Sequence, residues 1–256
     1  MTDMKQEIDR LVKWLDARLA ASAAQGFVVG LSGGIDSAVV ARLCQLARKD
    51  ATIGVLLPCH SDPQDETDAR LVADHFKLRT TRVDLAPAYD ALLGDTRGAV
   101  APLLPRGQHT PDDIRARLPI ANVKPRLRMT TLYFVANSLN SLVVGTGNRS
   151  EMTIGYFTKY GDGGVDLLPI AHLVKSQVRA MAREMGVPVA VIDKAPSAGL
   201  WLGQTDEGEM GFTYAELEQY LNEGPQSVTP AVAMKIERLA RASEHKKAPT
   251  PVPDAE

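Results

Sequence analysis

The segment that most constrains the fold runs from Phe27 to Ser37 and reads Phe-Val-Val-Gly-Leu-Ser-Gly-Gly-Ile-Asp-Ser. Its apolar first half predicts a buried strand, and the apolar residues that recur after Ser37 predict a helix. Between the two, Gly33 and Gly34 let the backbone turn tightly and approach a ligand closely. A helix N-terminus directs free N–H groups and the positive end of its dipole at one point. The segment therefore predicts an anion site suited to phosphate.

Asp36 and Ser37, an acidic and a hydroxyl residue, follow the glycines at the start of the predicted helix. The segment lacks the Lys-Ser/Thr ending of a Walker A loop, and the Gly-x-Gly-x-x-Gly dinucleotide pattern does not occur in it. A carboxylate beside a phosphate site repels the phosphate unless a cation lies between them. Asp36 therefore favours a bound Mg²⁺.

Further apolar runs predict a sheet around this first strand. Residues 51–57 and 79–85 are expected to be strands, each preceded by a helix, and Ser141–Val144 is expected to be another. Repeated strand–helix units favour parallel, right-handed connections. We expect an α/β fold with a doubly wound, mainly parallel five-stranded sheet flanked by helices.

A second glycine-bearing turn, Gly145-Thr-Gly-Asn-Arg-Ser-Glu151, follows the strand at 141–144. Because ligands bind beyond the carboxyl ends of the strands in such sheets, both turns are expected to face one ligand. Glu151 would then pair with Asp36 as an oxygen ligand of Mg²⁺. By itself Glu151 is equally an ordinary acid at a helix start, and Lys175 an ordinary solvated helix lysine.

Three segments break the pattern of regular elements. Residues 95–119 contain scattered glycines, prolines and charges, which predict a mobile surface excursion with a helical turn near 112–117. Residues 155–166 are rich in glycine and aromatic residues and include Lys159, which suits a binding loop. Residues 196–211 are expected to form a flexible loop, with 203–211 as one candidate lid and the 95–119 excursion as a second. We expect one domain over residues 1–247 and a disordered tail at 248–256.

Charge and composition exclude several classes of protein. The net charge is −2, so no general basic field recruits nucleic acid. No window approaches the roughly 18 apolar residues that a membrane span needs, and the N-terminus lacks a signal-peptide layout. The only cysteines, Cys44 and Cys59, have no metal or redox spacing. We expect both thiols to be reduced and the protein to be cytoplasmic.

The string Ser-Gly-Gly-Ile-Asp-Ser between a buried strand and a helix resembles the pyrophosphate-binding loop of the N-type ATP pyrophosphatases. Within that group, five separated motifs between about Ile8 and Lys247 resemble the NAD⁺ synthetase family. These motifs are Asn122–Met129, Gly145–Glu151, Gly155–Asp166, Pro196–Trp201 followed by Gln204–Glu207, and His245-Lys246.

The resemblance implies an adenine nucleotide alpha hydrolase-like fold and assigns residues to two substrates. It places Asp36 and Glu151 on Mg²⁺, and Asp36, Glu151 and Lys175 at the catalytic centre. ATP would be bound by Gly30, Leu31, Ser32, Gly33, Gly34, Ile35, Asp36, Ser37, Thr146, Lys175 and Ser197. Deamido-NAD⁺ would be bound by Arg126, Lys159, Asp166, His245 and Lys246.

The reaction implied by the resemblance is ATP-dependent amidation of deamido-NAD⁺ to NAD⁺. An adenylate forms with release of pyrophosphate, and a nitrogen nucleophile then displaces AMP. Nothing that precedes the first helix could be an amidohydrolase domain, so we expect free ammonia to be the nitrogen donor. The family resemblance also implies a homodimer, for which residues 130–142 could supply an interface or could equally belong to the core.

Three other functions compete with this interpretation. A tRNA thiolase usually needs reactive cysteines and a basic face for RNA, and a GMP synthetase would carry an additional dimerisation domain. A nucleotide-binding sensor without turnover would have little use for a second-substrate loop such as residues 155–166.

Overall fold

A computed structural model describes residues 3–104, 114–201 and 203–253 of the 256-residue chain. Its strands are β1 Gly26–Gly30, β2 Thr52–Leu56, β3 Arg79–Arg82 and β4 Ser141–Val144. Its α-helices are α1 Met4–Ala20, α2 Ile35–Ala47, α3 Pro63–Phe76, α4 Ala86–Val100, α5 Ile114–Ala121, α6 Val123–Ser138, α7 Arg149–Ile154, α8 Lys175–Glu184, α9 Val189–Ile192, α10 Asp206–Met210, α11 Tyr214–Glu223, α12 Pro230–Ala242 and α13 Glu244–Lys247. Short 3₁₀ turns occupy Lys49–Ala51, Ala101–Leu103 and Pro225–Ser227.

The four strands form one parallel sheet in the order β3-β2-β1-β4. Val28 of β1 lies opposite Ile53 of β2 on one side and Val143 of β4 on the other. The prediction of an α/β fold with a parallel sheet flanked by helices is confirmed. The chain adds strands on one side of β1 and then crosses to the other, so the strand order reverses between β1 and β4. The carboxyl edge at such a reversal is where ligands bind in open sheets.

Alternate residues of the strands enter two separate cores. Phe27 and Val29 pack with α1, α2 and α8 on one face of the sheet, while Val28 packs with α6 on the other. This alternation follows from the two-residue period of a strand. A third cluster, which includes Leu217 and Ile236, joins α7, α11 and α12. The two faces fix β1 between helix layers and leave its carboxyl end at an open edge.

The prediction of five strands is wrong, since the described residues contain a sheet of four. The place beside β4 is taken by a loop that makes a single bridge, Val144 to Leu167. The Asp166 carboxylate accepts from the Val143 N–H at 2.8 Å, a hydrogen bond that a neighbouring strand would otherwise supply from its backbone. A side chain therefore ends the sheet at this edge.

The irregular segments are more ordered than their composition predicts. The region 95–119 was expected to be an irregular excursion, but α4 continues through Gly94 and Gly98 to Val100, and α5 begins at Ile114. A Cβ at either glycine would meet nothing within 4 Å, so both positions face open space and the helix runs past them. The rest of that excursion, at 105–113, lies outside the described residues, as does the tail at 254–256. Residues 206–210 of the predicted lid form α10, capped by Thr205.

Within the described residues, none of the helices combines the length and the apolar character needed to cross a membrane.

Candidate active site

A cavity of about 450 Å³ opens at the carboxyl ends of β1 and β4. Both glycine turns line it, together with residues from α6, α8 and the segment 194–209. Ten of the eleven residues predicted to bind ATP line this cavity, namely Gly30, Leu31, Ser32, Gly34, Ile35, Asp36, Ser37, Thr146, Lys175 and Ser197. Gly33 does not line it, whereas Glu151, the other predicted Mg²⁺ ligand, does. Segments far apart in sequence therefore meet at the strand-order reversal.

The first glycine turn is shaped by one close contact. Gly33 has φ +80°, and a Cβ there would lie 2.2 Å from the main-chain oxygen of Asp65. Only glycine fits both the backbone conformation and the contact with α3. Ser37 Oγ donates to the Gly34 oxygen at 2.8 Å and accepts from the Ser32 N–H at 3.2 Å, which closes the turn. No side chain caps α2 at Gly34, so its first N–H groups are left for an anion.

A lysine and two carboxylates form the centre of the cavity. Lys175 Nζ lies 2.5 Å from Asp36 Oδ2 and 3.8 Å from Glu151 Oε1. Asn148, at the N-cap of α7, donates to Asp36 Oδ1 at 3.1 Å. Asn148 and Glu151 also form a capping box, each accepting from the other's N–H. The second glycine turn thereby fixes the orientation of both acids.

Burial and charge compete at this centre. The Lys175 side chain is only 3% exposed. Burial works to lower the pKa of Lys175, but the charges of Asp36 and Glu151 outweigh it and raise that pKa. For Glu151, burial and the neighbouring Asp36 charge raise the pKa above the usual carboxyl range. Lys175 therefore stays charged and opposes the rise in the pKa of Glu151 without cancelling it.

A third carboxylate, Asp206, lies on the same cavity wall. It is 4% exposed; Oδ2 accepts from the Tyr214 hydroxyl at 2.8 Å, and Oδ1 is buried without a hydrogen-bond partner. Burial raises the pKa of Asp206, while the Tyr214 hydrogen bond acts in the opposite direction. The Tyr214 ring also lies under Lys175, 5.3 Å from Nζ to the ring centroid. An unsatisfied carboxylate oxygen facing a cavity suits a cation or a hydrogen-bond donor.

The residues predicted to bind deamido-NAD⁺ form a second group beside the cavity. Lys246 lines it and donates to the main-chain oxygens of Gly155 and Phe157, both at 2.8 Å. Lys159 Nζ donates to the His245 oxygen, and the Lys159 oxygen accepts from Arg126 Nε at 3.4 Å. Four of the five predicted residues are thus linked in one basic cluster.

Asp166, the fifth, lies apart from that cluster. Its Oδ1 accepts from the Tyr133 hydroxyl at 2.9 Å and its Oδ2 from the Val143 N–H. Both carboxylate oxygens hold the edge of β4, and Asp166 does not line the cavity.

Several residues of the centre were missed in the sequence. Asn148 could have been found, because Asn148 and Glu151 have the spacing of a capping box. Asp206 lies within the quoted Gln204–Glu207 motif, but its pairing with Tyr214 has no local signal. Lys194 lines the cavity and holds Asp65 Oδ1 at 2.8 Å and Asp68 Oδ2 at 2.5 Å; an isolated lysine gives no sign of such partners.

Across the described ranges, no three His, Cys, Asp or Glu side chains converge closely enough to hold a metal alone. Mg²⁺ usually takes only one or two carboxylates, together with water and substrate phosphates. The oxygen donors Asp36 and Glu151 beside a phosphate-binding turn fit that pattern.

The comparisons with known proteins agree across the chain. A family model described as NAD synthase matches residues 7–250. A relative named NH(3)-dependent NAD(+) synthetase, from Carboxydothermus hydrogenoformans, is 49% identical over 97% of each chain. A solved structure of NMN synthetase from Francisella tularensis is 36% identical, covers 100% of both chains and has a TM-score of 0.89. An NH3-dependent NAD synthetase from Campylobacter jejuni is 25% identical over 99% of this chain and 100% of its own, with a TM-score of 0.79.

Proposed function

The chain belongs to the NAD synthase family, and on that premise we propose that it amidates deamido-NAD⁺ with ammonia, using ATP and releasing AMP and pyrophosphate. One observation carries the proposal. The centre formed by Asp36, Glu151 and Lys175 lies beside a glycine turn with free N–H groups, in a cavity that is also lined by Lys246 of the basic cluster. ATP would lie at the turn and the dinucleotide at the basic cluster.

In the first step, a nicotinate carboxylate oxygen attacks the α-phosphorus of ATP, and the bond to the bridging oxygen of pyrophosphate breaks. The free N–H groups of α2 hold the leaving pyrophosphate, and the Lys175 ammonium stabilises charge on the phosphate oxygens. In the second step, ammonia attacks the carbonyl carbon of the adenylate. The carbon–oxygen bond to AMP breaks, and the nitrogen loses a proton as the amide forms.

Asp36 and Glu151 would hold Mg²⁺. When bound, the ion neutralises phosphate charge in the cavity. Lys175 Nζ now lies close to both acids, so it would share their oxygens with the ion. Asn148 donates to Asp36 Oδ1, whereas Lys175 donates to Asp36 Oδ2. Asn148 can therefore keep the Asp36 carboxylate oriented whether Lys175 or Mg²⁺ is bound to Oδ2.

For the dinucleotide we propose the basic cluster of Arg126, Lys159, His245 and Lys246. Deamido-NAD⁺ carries a pyrophosphate and a carboxylate, which suit Arg and Lys donors. Within the described residues, Arg126 and Lys159 donate to main-chain oxygens and form no ion pair with a carboxylate, so an anionic ligand can compete for their charges. For Asp166 we retain a contact with the dinucleotide as a proposal, although both its oxygens now bind within the protein.

A second candidate substrate is the mononucleotide of nicotinate, because the Francisella tularensis structure is described as an NMN synthetase and superimposes over the whole chain. The basic cluster favours the dinucleotide, since its additional phosphate and AMP half supply more contacts.

The test is an initial-rate assay with ATP, Mg²⁺ and ammonium, comparing deamido-NAD⁺ with nicotinate mononucleotide. We expect NAD⁺ and AMP in equal amounts, and a kcat/KM about tenfold or more higher for the dinucleotide because the AMP half adds binding energy. A preference for the mononucleotide would establish the second candidate, and formation of neither amide would refute both.

Glutamine in place of ammonium tests the nitrogen donor in the same assay. Glutamine use requires a nucleophilic cysteine. Cys44 and Cys59 are both buried, and burial raises the pKa of each thiol. We therefore expect glutamine to support no reaction above background; equal rates with glutamine would contradict free ammonia as the donor. Two buried free thiols also support a cytoplasmic location.

We also propose a homodimer formed through α6. Phe134 is 72% exposed on this helix, and Leu139 directly after it is 48% exposed. We expect sedimentation velocity to give about twice the monomer mass of 27.6 kDa. Phe134→Asp should give the monomer, whereas Met234→Asp, at a 66% exposed position on α12, should not. A monomeric parent protein would refute the dimer, and a dimeric Phe134→Asp would exclude this interface.

A further inference from the structure

Lys124 is a buried lysine whose ammonium serves neither of the groups described above. It lies in the first turn of α6 and is 5% exposed. Its Nζ donates to the main-chain oxygen of Leu200 at 2.8 Å and to that of His60 at 3.3 Å. The Tyr89 ring lies 5.6 Å from Nζ. Both acceptors are neutral, so burial lowers the pKa of Lys124. Burying a cation against neutral carbonyl oxygens costs free energy, so the burial of Lys124 calls for a structural explanation.

The two carbonyl oxygens belong to two different segments of the cavity wall. His60 lies in the loop between β2 and α3, residues 57–62, which we call the β2–α3 loop. Leu200 lies in residues 195–201, which we call the strap. Residues of both segments line the cavity. The contacts with Lys124 therefore join two segments that are far apart in sequence, since His60 and Leu200 are separated by 140 positions.

Each segment also has its own attachment. Arg128 of α6 donates to the Leu57 oxygen at 3.2 Å and to Ser61 Oγ at 3.0 Å, which fixes the β2–α3 loop alone. The strap is fixed at its start by Lys194 on Asp65 and Asp68 of α3. At its end, the Leu200 N–H donates to Gln204 Oε1 at 2.7 Å. Only the Lys124 side chain bonds to both segments within the described residues.

We propose that Lys124 is a positioning residue that couples the strap to the β2–α3 loop, so that the two segments open and close over the nucleotide together. The role of this coupling in catalysis rests on the proposed function, because an adenylate intermediate is hydrolysed unless the cavity is closed to water. The coupling itself is a property of the free protein. A hydrogen bond from a charged donor is stronger than one between neutral groups, so the loss of Lys124 leaves each segment held only by its own attachment.

Trp201, adjacent to Leu200, reports on the strap. The chain has two tryptophans, so Trp14→Phe leaves Trp201 as the only one. In that background we expect Lys124→Met to raise the acrylamide quenching constant of Trp201 about threefold, because the strap samples open states. Lys13→Met removes an exposed charge on α1 and should not change the quenching of Trp201, whereas Arg128→Met loosens the β2–α3 loop and should raise that quenching only while Lys124 still joins the two segments. Unchanged quenching in a folded Lys124→Met protein would overturn the proposal.

The parent protein provides a test that needs no variant of Lys124. The Cys59 N–H donates to Ser61 Oγ at 3.2 Å, and the Leu200 N–H donates to Gln204 Oε1. If the segments open together, native-state hydrogen exchange should give these two amides one opening free energy and one dependence on urea. Different opening free energies would overturn the coupling, including in the case where Lys124→Met does not fold.

The ratio of AMP to NAD⁺ formed during turnover tests whether the coupling protects the adenylate. In Lys124→Met we expect the ratio of AMP to NAD⁺ to rise above that of the parent, because an uncovered adenylate is hydrolysed. A parent-like ratio would show that the coupling does not protect the intermediate and would overturn its stated purpose. If the parent forms no NAD⁺, the proposed function fails, while quenching and hydrogen exchange still decide the coupling.

Discussion

Replacing Asp36 with Asn is expected to reduce NAD⁺ formation by about a thousandfold or more, by analogy with the loss of a charged group at a phosphate-transfer centre. The change removes one negative charge at nearly constant shape. Asp36 Oδ2 is the nearest partner of Lys175, and Oδ1 accepts from Asn148. An amide can keep only one of these two contacts, because its NH₂ group then faces either an ammonium or another NH₂ group.

The fold should survive this substitution. Asp36 lies in the first turn of α2, where an acid interacts favourably with the helix dipole by only about 0.3–1 kcal/mol. The apolar face of α2 is otherwise buried against both neighbouring layers. Removing one partner of the buried Lys175–Asp36 pair costs about 3 kcal/mol. We therefore expect a folded protein whose thermal midpoint is lowered by roughly 6–12 °C, since about 1 kcal/mol shifts the midpoint of a large domain by roughly 2–4 °C.

Initial rates at saturating substrates measure the effect, and calorimetric titration with Mg²⁺ in the presence of ATP measures the metal site. Asp9→Asn, an identical change at an exposed position on α1, is the matched control and should retain the parent rate. Near-parent turnover or unchanged Mg²⁺ affinity in Asp36→Asn would remove Asp36 from the metal site.

The parts of the fold that follow from short sequence patterns were predictable. The strand, glycine turn and helix at 27–37 were placed correctly because each is determined within a few residues. The edge of the sheet was not, because it depends on how Asp166 meets Val143 across 23 positions. No local pattern distinguishes a loop that makes one bridge from a fifth strand.

The same distinction applies to the candidate site. Asp36, Glu151 and Lys175 were chosen from their motifs, and the structure brings them together. The partners that orient or compensate them were not chosen, because they arise from tertiary packing. Asn148 and Asp36 are 112 residues apart, and the stacking of Tyr214 under Lys175 joins α11 to α8. Motifs identify the charged groups; long-range contacts set their orientation and ionisation.

Lys175→Met is expected to lower kcat/KM by about a hundredfold or more, because it removes a cation directed at the phosphates. Methionine keeps most of the side-chain volume, so the packing of α8 against α2 is retained. Without the ammonium, the carboxylates of Asp36, Glu151 and Asp206 repel an incoming nucleotide. The KM for ATP should therefore rise and kcat should fall.

The same variant should lose stability in a way that depends on pH. Removing one partner of a buried ion pair costs about 3 kcal/mol, because the other charge is left uncompensated. This cost exists only while the carboxyl groups are ionised. The folded-state pKa of Glu151 is raised by burial and by Asp36, so the fold loses stability as the pH rises from the unfolded-state pKa to the folded-state pKa. Without Lys175 this pKa rises further, so the variant continues to lose stability above the pH at which the parent levels off, and its deficit relative to the parent should be larger near pH 9 than near pH 5.

Urea denaturation of the parent and of Lys175→Met at both pH values measures this difference. Lys13→Met, at an exposed position on α1, is the control for losing a lysine charge and should show no such pH dependence. In the parent this loss is limited because the raised pKa of Lys175 keeps the ammonium charged well above neutral pH. Equal losses at both pH values would mean that Lys175 acts through packing alone, and turnover within about twofold of the parent would remove it from the phosphate site.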